Sequence, residues 1–554
     1  MGADGKFPIR GLLFCFVIVA ICYANSIAND FILDDALIVA ANPDIRSIQP
    51  LHTFKTPFWG EKSGDGVYRP LVILGYSIEY SLWHRWAPGF RLTNLVLHAI
   101  NGYLVFLLVR SFLWASPAAW AASAIYLAHP AHTEAVAGIA GRSELLSATF
   151  FFLAWLMFRK GRMGWCVTAF LLSLLSKENA ISFPAVIALD IWITRGSVKA
   201  VLQEWKRLGS LVATGALYFG LRLWVLGIDN LTPPQYLNGA WTLLQRELTS
   251  GRAFLQYFRL ILAPVNVTGD YDFNSIPIAN ATDWDAWFGV LLIVSTIVLA
   301  IRLVHRQPLI ALGILFFYVT LFPVSNWLVP TNAIMAERYL YVPLFGMTLI
   351  AGMLWTRISR RETRLWVIGG ILAVSAVLCI SHNYVWKDNY TFYKNMVRVF
   401  PNNIRGRQGF GVALLDGGFA SEAGVQFEAG LTVARNAPLL LGLAGVQMKL
   451  DHNCDRARES IDEALRIQPN NSSVHWLLAE CFENEGDLAS ASDTYRRAVE
   501  ETQFPDARLL FDWGMLMEKM GKHQEAAALY QRAALIDPND LSIKFKLKSQ
   551  GREW

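Results

Sequence analysis

Charged side chains are scarce in this chain. Only 17% of its 554 residues are Asp, Glu, Lys or Arg, while 54% are hydrophobic; soluble domains carry roughly a quarter charged residues. That balance excludes an ordinary pair of soluble domains and requires lipid to cover much of the surface. There is no CxxC among the six cysteines, which argues against a cysteine metal site or a dense disulfide framework. Cys15, Cys22, Cys166 and Cys379 lie in apolar runs, where a thiol behaves as a small hydrophobe, and Cys454 and Cys481 receive no role. No GxxxxGK or GxGxxG turn is available to cradle a nucleotide phosphate. The net charge is +5, but the basic residues fall in short clusters between apolar runs. Such clusters mark cytoplasmic loops and give no footing for a nucleic-acid partner.

Apolar runs long enough to cross a bilayer occupy 11–27, 91–110, 114–130, 143–158, 163–177, 179–195, 208–227, 286–304, 308–325, 339–356 and 365–381. They predict about eleven spans. Ala24-Asn25-Ser26 resembles a signal-peptide cleavage site, but the polar residues just beyond need an anchor, so the first run is read as a retained span. Lys6 and Arg10; Arg159, Lys160 and Arg162; Arg195, Lys199, Lys206 and Arg207; Arg302 and Arg306; and Arg357, Arg360, Arg361 and Arg364 all fall on one side. The positive-inside rule makes that side cytoplasmic. The loop after Asn29, the stretch 228–285 and the carboxyl tail then lie outside. Within 228–285, the apolar stretch 253–262 is short and flanked by charge, which predicts a re-entrant or interfacial helix.

From residue 404 a period of about 34 residues appears. Small residues recur at Gly411, Gly445, Ala479 and Gly514, then at Ala423, Ala457, Ala491 and Ala526, each of the latter followed four residues on by Phe427, Ile461, Tyr495 or Tyr530. This is the tetratricopeptide pattern of paired helices, whose concave stack takes an extended peptide or a partner helix. The expected fold is all-α: a membrane bundle over 1–385 with a first outer loop and interfacial helices at 29–90, a linker at 386–403, and an α-solenoid outside the cytoplasm over 404–554.

Ionisable residues at membrane depth or at its face are functional candidates by default. Asp34-Asp35 follows the first span in FILDDALIVAANPDI. Two adjacent carboxylates can orient a hydroxyl, take its proton or hold a divalent cation; the bland alternative is a solvated helix cap. Beyond Tyr68-Arg69-Pro70 lies an interfacial stretch with Trp83, His84, Arg85 and Trp86, where Arg69 or Arg91 would suit a phosphate. HPAHTEAVAGIAGRSE brings His129, His132, Glu134, Arg142 and Glu144 to the same outer side. Two histidines and a glutamate are zinc-ligand types, but spacing fixes no further ligand, and Glu134 is better read as a second acidic group of the site. Lys177-Glu178 either caps a span or presents a point charge to phosphate. Asp270-Tyr271-Asp272 and Glu337-Arg338-Tyr339 complete the outer set. Arg338 is the preferred partner for a lipid phosphate, as a two-pronged donor steadied by Glu337; the alternative is a structural ion pair.

In order along the chain, DDALIVAANPDI, YRPL, RLTNLVLHAINGYLVFLL, HPAHTEAVAGIAGRSELLS, LLSKENAISFPAVI, AERYLYVP and the repeats resemble the transmembrane and tetratricopeptide repeat-containing (TMTC) proteins and their bacterial relatives. The resemblance covers nearly the whole chain. It implies a GT-C glycosyltransferase fold and inverting transfer of mannose from a polyprenyl or dolichyl phosphate to protein Ser or Thr. Asp34 and Asp35 match that family's acidic motif, and Glu337, Arg338 and Tyr339 its late outer motif. The repeat tail is shorter than the arrays of animal members.

The expected chemistry is a single displacement. Asp34 or Asp35 takes the acceptor's proton, while Arg338, with Lys177 or Arg69, offsets charge on the departing lipid phosphate. Expected partners are the lipid-phosphate donor, membrane lipid and a polypeptide held by the repeats; no cofactor is assigned beyond the open question of a divalent cation. A bacterial inner membrane with periplasmic repeats is the expected location, or the endoplasmic reticulum membrane in a eukaryote. The competing readings are a glycan or lipid acceptor, a non-catalytic scaffold, and a transporter, which would need charge near midplane and broken helices in repeated halves.

Overall fold

The computed structural model describes residues 9–40, 42–59, 66–227, 241–271, 274–327, 331, 333–451, 454–469, 471–501, 507–536 and 540–549. Among them there is no β-strand, only an isolated bridge between Tyr271 and Met335, so the fold is all-α. The chain divides into two compact units, Met1–Asn395 and Met396–Trp554.

Among the described residues of the first unit, five helices are long and apolar enough to cross a membrane: Ala87–Leu113, Ile139–Arg159, Trp205–Leu226, Trp284–Leu303 and Arg361–Val385. Shorter apolar helices are Arg10–Ser26, Met163–Ser176 and Pro308–Val324. Exposed indoles stand at or near helix ends, with Trp114, Trp284 and Trp366 the most exposed, as expected where apolar helices meet an interface. Three of the apolar runs are broken rather than continuous. The first stops at Leu127 and turns through Pro130–His132. The second opens with the tight turn Glu178–Ser182 before Phe183–Arg195, and the third with Glu337–Leu340 before Leu344–Arg357. Proline at 130, 184 and 343 removes a helical donor near each break. Each break therefore places side chains of a candidate motif on a short helical turn of three to five residues between longer helices.

The stretch 253–262 belongs to a longer amphipathic helix, Leu243–Leu262, started by a reciprocal Thr242–Gln245 capping box. It crosses Trp284–Leu303 at backbone contact: a Cβ on Gly289 would stand 2.1 Å from the Gly251 carbonyl oxygen. Arg252 ties the crossing to Asp283 at 2.9 Å and Asp285 at 2.7 Å. Asp190 and His98, two polar groups within spans, are locally satisfied. Asp190 accepts from Trp155 at 2.8 Å and pairs with Arg159 at 2.7 Å, and His98 bonds the Tyr341 hydroxyl at 2.7 Å.

The second unit stacks four helix pairs, Ile404–Asp416 with Ala420–Val433, Ala437–Asp451 with Asp455–Ile467, Ser472–Asn484 with Leu488–Glu501, and Ala507–Lys519 with His523–Ile536, followed by Leu541–Ser549. Small positions admit large rings, with Phe427 against Gly411 and Tyr530 against Gly514. Gly445 meets open space instead, and Gly442 takes its place against Phe427. Cys454 and Cys481, given no role from sequence, form a disulfide with Cα atoms 5.5 Å apart. Their separation of 27 residues brings neighbouring helix pairs together, a proximity that no local cysteine spacing reveals.

Candidate functional site

Asp34 and Asp35 sit at a tight turn begun by Leu33, whose φ of 48° lies in the left-handed region that side chains with a Cβ avoid. Asp35 points inward and is buried. Its oxygens accept from the backbone amides of Ile139 at 3.1 Å and Ala140 at 2.7 Å, with the Arg91 guanidinium 3.5 Å away. Burial pushes the Asp35 carboxyl up to about 6, opposed by Arg91 and the two amides. Arg91 is itself buried and donates to the carbonyls of Asn29 and Asp30, so its head group is committed to the acid loop. Asp34, one residue away, is exposed.

The segment 133–141 that supplies those two amides also carries Glu134. This carboxylate accepts from the Arg338 backbone N–H at 2.8 Å and from its guanidinium. Glu134 is buried, whereas the Arg338 side chain keeps 33% of its surface. Burial disfavours the Arg338 cation, but Glu134 outweighs it and Asp34 adds to the stabilisation, so the charge is secure. Glu337 turns the other way, accepting from the Thr268 N–H at 2.9 Å and from the Tyr271 hydroxyl. Burial, reinforced by Glu134, pushes it up to about 8.

Tyr339 is flanked by two cations, Lys177 at 5.1 Å and Arg338 at 5.5 Å from its ring. Lys177 is buried and paired with Glu144. Arg69 grips Glu178 through two bonds of 3.0 and 2.6 Å. Burial alone would raise the Glu178 carboxyl, but Arg69 holds it well below the usual range. Asp34, Glu134, Lys177, Arg338, Tyr339, Arg69 and Glu178 thus form one electrostatic cluster, in which the charges of Arg69 and Arg338 both act on Lys177.

Other candidates have different surroundings. Arg142 is buried against Glu79 at 2.7 Å and the Asn94 side chain, bracing the helices Pro70–Trp83 and Ala87–Leu113. His129 bonds the Ile261 carbonyl at 3.1 Å. His132 is buried among Tyr126, His98 and Tyr341, with neither ring nitrogen hydrogen bonded. Asp270 is half-buried beside Tyr271, and Asp272 lies outside the described residues. Among the described residues no group of three or more His, Cys, Asp or Glu is placed to hold a metal ion. The sequence placed Tyr271 in the outer set without linking it to Glu337, and it gave no sign of the Ile139 and Ala140 amides, because backbone donors leave no residue signature. Chemically, the cluster offers an exposed carboxylate within electrostatic reach of a fixed, partly exposed guanidinium.

A tetratricopeptide repeat family model matches residues 507–540. Protein O-mannosyl-transferase TMTC3 of Mus musculus is 26% identical over 96% of this chain and 64% of its own length, and the Homo sapiens protein of that name gives the same figures. Protein O-mannosyl-transferase F38B6.6 of Caenorhabditis elegans is 27% identical over 75% of this chain and 61% of its own. The chain therefore spans just under two thirds of the length of these relatives. Among solved structures, yeast Tom70 is 15% identical, with a TM-score of 0.26 over 73% of this chain and 88% of that one. Apolar helices and these relatives together mark a membrane protein whose homologues are TMTC-family protein O-mannosyl-transferases and which shares their tetratricopeptide repeat.

Proposed function

We propose that the chain is an integral-membrane, GT-C-type glycosyltransferase that moves mannose from a polyprenyl or dolichyl phosphate to Ser or Thr hydroxyls of a polypeptide on the extracytoplasmic face. One observation carries this reading. The segment 133–141 holds the acid turn through the Ile139 and Ala140 amides and holds Arg338 through Glu134. Acceptor activation and leaving-group stabilisation are thereby assigned to neighbouring groups.

The exposed Asp34 is the base and Asp35 its anchor. The acceptor hydroxyl gives its proton to Asp34 as its oxygen bonds to the anomeric carbon. The bond from that carbon to the phosphate oxygen breaks with inversion, and the lipid phosphate departs against Arg338. Tyr339 presents its ring between Arg338 and Lys177, a surface suited to the sugar. The relatives' names support a mannosyl donor and a protein acceptor. The repeats supply a groove for polypeptide, and their disulfide fits an oxidising compartment, the periplasm or the lumen of the endoplasmic reticulum.

The test is label transfer from radiolabelled polyprenyl-phosphate mannose to a Ser/Thr-rich peptide. Asp34→Asn is expected to cut the rate by about 10²- to 10⁴-fold, the usual worth of a general base, with thermal stability unchanged. An Asp34→Asn protein as active as the parent removes this residue from the mechanism.

A further inference from the structure

The stretch 383–395, which ends the first unit, touches the walls of the site from behind at three places. The Lys387 carbonyl accepts from the Asp30 N–H at 2.8 Å, and the Asn383 carbonyl from the Asn29 side chain at 3.0 Å, both at the base of the acid turn. Trp386 lies against Gly138, where a Cβ would stand 3.3 Å from its ring, directly before the amides that hold Asp35. Phe392 is buried and packs on Gly269 so closely that a Cβ there would stand 2.3 Å from the ring, and the Asn395 side chain donates to the Val267 carbonyl at 2.9 Å. Trp386 and Phe392 meet edge to face at 5.0 Å, which makes these contacts one unit. Asp388 starts the helix Asn389–Val399 by accepting from the Thr391 N–H at 2.8 Å, and this sets where Phe392 and Asn395 face.

The loop at 267–271 is the one that grips Glu337, through the Thr268 amide and the Tyr271 hydroxyl, and Glu337 is joined directly to Arg338. We infer that 383–395 is a positioning strap, in which Phe392 and Asn395 act through the 267–271 loop and Glu337 to set where the Arg338 guanidinium meets the donor phosphate. Neither residue touches the reacting atoms. This inference rests on the proposed function and adds positioning residues that neither the sequence motifs nor the charged cluster identified.

The test is donor KM against kcat for the full chain in lipid, with Phe392→Ala, Phe392→Leu and Asn395→Ala. Asn395→Ala removes the hydrogen bond to Val267 and leaves the Phe392 ring on Gly269, so it reports even where Phe392→Ala fails to fold. Asn395→Ala and Phe392→Ala are expected to lower donor kcat/KM about five- to tenfold, through kcat as well as KM, because Arg338 also meets the charge on the departing phosphate. Phe392→Leu, which retains the apolar contact, should recover most of the loss. Unchanged constants in Asn395→Ala, or a Phe392→Leu protein as impaired as Phe392→Ala, overturn the strap while leaving the transferase reading intact. A parent protein that transfers no sugar overturns both.

Discussion

Asp34 and Asp35 adjoin in the chain and have opposite surroundings, one exposed and one buried against two backbone amides. Sequence assigned the pair to the chemistry without dividing the labour between them, because the partners of Asp35 are amides about a hundred positions away. The same holds for Glu337. Burial first, and Glu134 second, raise its carboxyl to about 8, so it stays largely protonated at neutral pH. The unfolded chain releases this proton near 4.5 and the folded chain only near 8. The stabilising contribution is therefore fully present below pH 4.5 and lost as pH rises through 8. The corresponding slope is about 1.4 kcal/mol per pH unit for one proton. Glu337→Gln keeps an oxygen for Thr268 and Tyr271 and cannot ionise, so the dependence of melting temperature on pH between 5 and 8 should flatten. A slope identical to the parent's would place the responsible proton elsewhere.

Helices were the most legible feature, and the reason differs between the units. In the repeats, Gly411 and Gly514 leave gaps that the Phe427 and Tyr530 rings fill, so at these positions the 34-residue spacing is a direct record of packing. Gly445 shows the limit: periodicity marked it, but Gly442 meets the ring. The Cys454–Cys481 bridge escaped because it depends on helix stacking rather than on spacing. Cys454→Ser should cost the repeat domain about 3 kcal/mol, as expected for closing a loop of this length, and the reduced parent should melt at the same temperature as the variant. In the membrane unit, hydropathy located the apolar runs but hid their breaks at 128–132, 178–182 and 337–343. Short turns inside a continuous apolar stretch scarcely alter its average. Backbone contact between Gly251 and Gly289 was equally silent. Gly289→Val should force Leu243–Leu262 away from its neighbour, lowering the melting temperature of the membrane unit and weakening the Arg252 ion pairs.

Across the chain, the broken helices share a purpose that sequence alone outlined only as a convergence of charge in outer loops. Each break carries part of the cluster: 128–137 bears Glu134, 177–182 bears Lys177 and Glu178, and 337–340 bears Arg338 and Tyr339. Helical backbone elsewhere satisfies its own polar groups in lipid, which leaves these interruptions as the places where side chains can converge on a head group. The central claim is that this cluster receives a lipid-linked sugar phosphate between Asp34 and Arg338. An experimental structure of the full chain with a polyprenyl-phosphate mannose bound tests it most directly. The phosphate is expected in hydrogen-bond contact with the Arg338 guanidinium, with the sugar's anomeric carbon on the side of Asp34. A phosphate seated instead at the basic loops around Arg159 or Arg361, or a sugar turned away from Asp34, would contradict it.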